Sequence, residues 1–102
     1  MATRIDFRNK LKTILGLDHL YFQPPSGFLM EYDCCVYGIA HRPSKYADNI
    51  RYLNLTQYEC TLIFRDPDSD LPKKLIDGFQ YVEHNRRFTA DNLHHEVFLV
   101  YF

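Results

Sequence analysis

Near the N-terminus, apolar residues recur one helical turn apart: Phe7, Leu11, Ile14 and Leu15 form a single stripe that stops at Gly16. Thr3-Arg4-Ile5-Asp6 supplies the start of this helix, because Thr3 can accept from the backbone near Asp6 while the Asp6 carboxylate reaches back. Residues 19–23 form an aromatic extended segment that halts at Pro24-Pro25, where a missing donor and a fixed φ prevent central pairing; Ser26-Gly27 turns the chain. Residues 30–41 read as a second strand. Its nearly continuous apolar run (Cys34, Cys35, Val36, Tyr37, Ile39, Ala40) predicts a central position with burial on both faces. Arg42-Pro43-Ser44-Lys45 ends it, and Asp48-Asn49 marks a turn.

The clearest period-two pattern lies within residues 51–65, with Tyr58, Cys60, Leu62 and Phe64 on one face and Glu59, Thr61, Ile63 and Arg65 on the other. Asp66-Pro67-Asp68-Ser69-Asp70 stops that strand, and its short acceptors are expected to cap a short helix carrying Leu71, Leu75 and Phe79, with Gly78 close to its C-terminal stop. Residues 81–88 predict a short strand and residues 93–102 the last one. Its apolar run Val97-Phe98-Leu99-Val100-Tyr101-Phe102 is expected to be an internal strand or part of a subunit interface. The pattern predicts a single α+β domain over residues 1–102, a mostly antiparallel sheet of roughly four to five strands with an N-terminal helix and a short second helix packed on it.

Composition narrows the function. The 102 residues are 46 % hydrophobic and 25 % charged, which suits one globular core. Eight Tyr and eight Phe are more large rings than one small core readily uses, and such rings dominate cores and interfaces alike. The net charge of −1 provides no long-range field toward nucleic acid or anionic membrane, so neither a membrane partner nor specific nucleic-acid binding is expected. Residues 1–8 lack the apolar run of a secretion signal, and three Cys, two of them adjacent, do not suit a disulfide framework. A cytoplasmic origin is expected.

Each candidate for chemistry has a structural competitor. Asp66, Asp68 and Asp70 alternate like calcium-loop ligands with Asp77 in the closing position, but Leu71 stands where such a loop needs Gly. His84, Asp91, His94, His95 and Glu96 are rich in metal-ligand types, yet neighbouring His94 and His95 on a strand face opposite ways. Neither a metal nor any other cofactor is expected. Cys34 or Cys60 with His84 or His95 has no supporting spacing for nucleophilic catalysis. A metal-free ribonuclease of the toxin type, using Tyr81, His84, Arg86 and Arg87, is the more sensible enzyme reading, since Arg neutralises phosphate and His moves the proton. Arg4, Arg8 and Lys12 lie one turn apart, as either a solvated face or a basic surface toward a charged partner.

Taken in order, Tyr21-Phe22-Gln23-Pro24-Pro25, Cys35-Val36-Tyr37, Tyr46-Ala47-Asp48-Asn49, Asp66-Pro67-Asp68-Ser69 and Phe88-Thr89-Ala90-Asp91-Asn92-Leu93 through Tyr101-Phe102 resemble the small tail-terminator, or tail-completion, proteins of tailed bacteriophages. Asp33 departs from the resemblance, which has a Pro in that neighbourhood. The resemblance implies a non-enzymatic homo-hexameric ring in the virion tail or neck, assembled in the host cytoplasm. Such a ring caps the tail tube, ends its polymerisation, and meets the tail tube protein on one side and a head-completion or neck protein on the other. Small head-closure or neck connector proteins share the size and ring habit and are the alternative within the class. Tyr46, Asp48, Asn49, Tyr52, Phe88, Asp91 and Asn92 are the interface candidates, each equally readable as a turn residue within one chain. Arg4, Arg8 and Lys12 are the candidates for a lumen-facing or neck-facing surface.

Overall fold

The computed structural model describes residues 3–25, 27, 29–41 and 55–102. Helix α1 spans Arg4–Leu15 and opens with the expected reciprocal cap: Thr3 Oγ1 accepts from Asp6 N at 3.2 Å, and Asp6 Oδ2 accepts from Thr3 N at 2.9 Å. It closes at Gly16, whose φ of 69° suits glycine and whose N–H donates to the Lys12 carbonyl. The chain continues through strands β1 (Leu20–Phe22), β2 (Cys34–His41) and β3 (Gln57–Phe64), helix α2 (Leu71–Gly78), and strands β4 (Tyr81–Ala90) and β5 (Leu93–Tyr101). These strands form one sheet in the order β1-β2-β3-β5-β4, antiparallel except for the β1 and β2 pair. The architecture is the α+β arrangement that the periodicity predicts.

Both helices cover one face of the sheet. Phe7, Leu11 and Leu15 from α1 and Leu71 and Leu75 from α2 pack with Phe79 onto Cys35, Tyr37, Tyr58, Cys60, Leu62, Phe64, Phe98 and Val100. These strand residues share a face because cross-strand partners do: Cys60 lies between Tyr37 and Phe98, and Tyr58 between Ile39 and Val100. Phe7 is the hub, stacked on Tyr58 with ring centroids 3.9 Å apart and in ring contact with Tyr37, Phe79 and Phe102. A fully buried ring of this kind stabilises by roughly 1.5–3 kcal/mol through lost water contact alone. Strand β5 is internal, flanked by β3 and β4, and beyond it Phe102 exchanges two backbone hydrogen bonds with Thr56.

Several local expectations need correction. β2 begins at Cys34 rather than Met30, because its partner β3 ends opposite it and Asp33 instead accepts from Arg65 N at 3.1 Å. Burial on both faces holds only for Cys34 and Cys35; Val36 and Ile39 are half-buried and Ala40 is exposed. Within the capping segment 66–70, the Asp70 side chain makes no cap bond to α2. Ser69 Oγ accepts from Leu71 N instead, Asp66 Oδ1 bonds Asp68 N, and Asp70 pairs with Lys74 one turn on. Gly78 does lie at the helix stop, as expected: it is the last residue of α2, and Phe79 after it is extended. Glycine is required there for space: a Cβ would stand 2.5 to 2.9 Å from three carbons of Ile14 on α1. Strand β4 is longer than predicted, because an edge strand need not alternate hydrophobic and polar residues to be stable beside an apolar neighbour.

Candidate functional site on the outer hairpin

Strands β4 and β5 are joined by the two-residue turn Asp91-Asn92, whose φ values of 52° and 63° are those of a type I′ turn. This conformation accounts for an Asp-Asn pair here, since both residues tolerate positive φ better than most. Their side chains are exposed. β4 carries one extra residue, Asn85, between His84, which pairs with Phe98, and Arg86, which pairs with Val97. The hairpin therefore presents two chemically different faces.

On the helix side, Glu96 is the centre. Its side chain is 12 % exposed, and its carboxylate meets His84 Nε2 at 3.1 Å and an Arg87 guanidinium nitrogen at 4.0 Å. The His84 ring stands edge-on to Phe98, while the neighbouring His94 stacks on Phe64. A carboxylate this enclosed is held by the Arg87 guanidinium and the His84 ring nitrogen. On the opposite face, Phe88 stacks on His95 at 4.7 Å, and the Arg86 guanidinium lies 5.7 Å from the Phe88 ring centre. Phe88 is 40 % exposed. Cys34, Ile63 and Val97, on this same helix-free face of their strands, are buried outside the main core cluster.

These positions divide the residues proposed for phosphate chemistry. His84 and Arg87 face the helices with Glu96; Tyr81 and Arg86 face the other way, opposite Tyr101 and Val97. The four do not converge on one reacting atom. His94 and His95 also point to opposite faces, as adjacent strand residues must. The thiols are poor nucleophiles: burial, with smaller contributions from Cys35 and Asp33, pushes the Cys34 pKa up to about 12. Burial likewise holds Cys60 well above its usual range, reinforced by its hydrogen bond with Cys35.

The basic row of α1 is partly engaged within the chain. Arg4 lies 4.3 Å over the Phe22 ring, and Lys12 pairs with Asp18 at 3.8 Å. Tyr37, below this row, has its hydroxyl pKa raised chiefly by burial, with Arg8 and Arg4 opposing. Of the interface candidates, Phe88, Asp91 and Asn92 are brought together on the hairpin, whereas Tyr46, Asp48, Asn49 and Tyr52 lie outside the described residues.

One residue with a structural role escapes sequence reasoning. Gln23, at φ 42°, donates from its backbone to the Tyr37 carbonyl, and its Oε1 accepts from Ile39 N at 3.1 Å, so its side chain continues β1 along the edge of β2. It lies over Gly38, where a Cβ would come within 2.9 Å of its Cγ. A glycine inside a strand is the signal that marks such a close approach. Gln23, Gly38, Glu59 and Thr61 help line a shallow hollow of about 330 Å³ on the helix-free face. Comparison with known proteins finds no match to this chain among family models, curated proteins or solved structures.

Proposed function

We propose that this chain is a structural subunit of a bacteriophage tail, a terminator that closes the tail tube as a hexameric ring, ends tube growth and joins the tail to the head or neck. The ordered series of segments from Tyr21 to Phe102 carries the reading. It is supported by the location of the segment richest in that resemblance, residues 88–102, which includes the turn and inner strand of the outer hairpin and an exposed Phe88. A ring requires one patch on a subunit to meet a different patch on the next, and an exposed aromatic at a sheet margin suits such a contact. In this reading the chain works by binding, in the virion tail or neck, with tail tube protein and a neck protein as partners. The ribonuclease alternative loses support because the pleat of β4 separates its residues.

Sizing with mass detection, with and without tail tube protein, tests the proposal. The expected result is a hexamer on tube ends and tubes that stop lengthening when the protein is added. A chain that never binds tubes but cleaves RNA would sink the reading; a chain that forms rings on neck protein alone would move it to the head-closure class.

A further inference from the structure

Strand β4 is an edge strand of ten residues, bonded among the described residues to β5 on one side only. Edge strands are ordinarily short, or protected by proline, by charged side chains or by a bulge that twists the edge away. β4 contains no proline, and its helix-free face reads Tyr81, Glu83, Arg86, Phe88: aromatic, acid, base, aromatic. Strict alternation would put Glu83 and Arg86 on opposite faces. The extra residue at Asn85 brings them onto the same one, opposite Leu99 and Val97 respectively. Among the described residues neither Glu83 nor Arg86 takes part in an ion pair, whereas Arg87 on the other face is engaged by Glu96.

We infer that β4 is a self-complementary edge on which a second copy of this chain pairs antiparallel about a two-fold axis at His84, beside the bulge. With the axis at His84, which then stands opposite its own copy, and with Asn85 left out of the pairing as the bulged residue, Glu83 of each copy stands opposite Arg86 of the second copy, and Tyr81 stands opposite Phe88. Each pair occurs twice, as an isologous contact demands. Opposite charges and aromatic rings directly across strands are the pairs that stabilise a sheet. The same register sets Val82 against the aliphatic stem of Arg87 on the helix side. Charges arranged for protection alone would repel in this register; these attract. The two five-stranded sheets join into one, and both long edges are removed. The dimer draws on Phe88, which the ring reading also places at a contact, so the two assemblies compete for that residue and are scored in separate experiments.

Sedimentation equilibrium of the isolated chain over a concentration series, at low and high salt, tests it. The expected result is a monomer–dimer equilibrium that weakens with salt. Glu83→Arg or Arg86→Glu alone should each weaken the dimer by about tenfold, because both reciprocal pairs become repulsive. The double variant carrying Glu83→Arg and Arg86→Glu should restore it, since the swapped charges face each other again in this register and in no shifted one. Both side chains are exposed, and circular dichroism would confirm that each variant is folded. A monomer at every concentration, single variants that dimerise like the parent, or a double variant that stays dissociated would each overturn the inference. Mixing with tail tube protein is scored separately: failure to form rings there defeats the ring and leaves the dimer standing.

Discussion

Ile14 lies directly against Gly78, so that the flank of α1 and the last residue of α2 meet with no side chain between them. A Cβ on residue 78 would fall 2.6 Å from Ile14 Cγ2, a carbon that cannot swing away without changing χ1. Gly78→Ala should therefore destabilise the fold by roughly 1–3 kcal/mol through overpacking, despite alanine's better helix propensity. Urea denaturation of Gly78→Ala, Ile14→Ala and the double variant measures this. The double variant should lose less than the sum of the single losses, and simple additivity would show that the two residues do not press on one another.

Phe7 joins four rings, and removing it empties the centre of the core. Phe7→Ala is expected to lower stability by about 3–5 kcal/mol, as large-to-small changes at buried aromatic sites do. Chemical denaturation with an unchanged slope would report this loss as a stability change. Ile5, exposed on the same helix, is the control: Ile5→Ala should change stability by less than about 0.5 kcal/mol.

In the cap at the start of α1, each side chain accepts from the other residue's backbone N–H. Thr3→Ala removes the acceptor for Asp6 N and should cost about 1 kcal/mol, visible as a lower melting temperature. Thr3→Ser keeps the hydroxyl and should fall within a few tenths of a kcal/mol of the parent.

At the hairpin turn, Asn92→Gly should be neutral or stabilising, because glycine adopts a φ of 63° without strain. Asn92→Val forces a β-branched residue into the same conformation and should destabilise by about 1–2 kcal/mol. Amide exchange localises the effect: protection should fall first at the Ala90 and Leu93 pair nearest the turn and last near Tyr81 and Tyr101.

The raised thiols make stability sensitive to alkaline pH. The folded chain keeps Cys34 protonated up to about 12, while the unfolded chain releases that proton near the ordinary value of 9.0. Between these values the unfolded state binds fewer protons, so stability is full below about 9, falls as pH rises through the window, and levels off above it. Urea midpoints measured across this range should decline, and Cys34→Ala should flatten the decline. A thiol reagent at neutral pH should label Cys34, Cys35 and Cys60 only as the protein unfolds, since all three are fully buried.

Much of the fold is legible where the determinants are local. The Thr3 and Asp6 cap, the stripe of Phe7, Leu11 and Leu15, and the alternation of Tyr58, Cys60, Leu62 and Phe64 are visible in the sequence and reappear in α1 and β3. They depend on spacing within one turn or one pleat, and burial of a single face is enough to enforce them. The apolar run of β5 likewise announced an internal strand, and β5 lies between β3 and β4.

Tertiary structure alone decided what depends on partners distant in the chain. The polar residues of β4 gave little sign of its full length, which follows from pairing with β5; the bulge at Asn85 then decided that Glu83 and Arg86 share a face and that His84 and Arg87 turn to Glu96. Gly78 has its role because α1 crosses at Ile14, and Gln23 because its side chain reaches the edge of β2. Periodicity specifies which side of an element is apolar, whereas register and close approach arise only when elements distant in sequence compete for the same space and the same backbone donors.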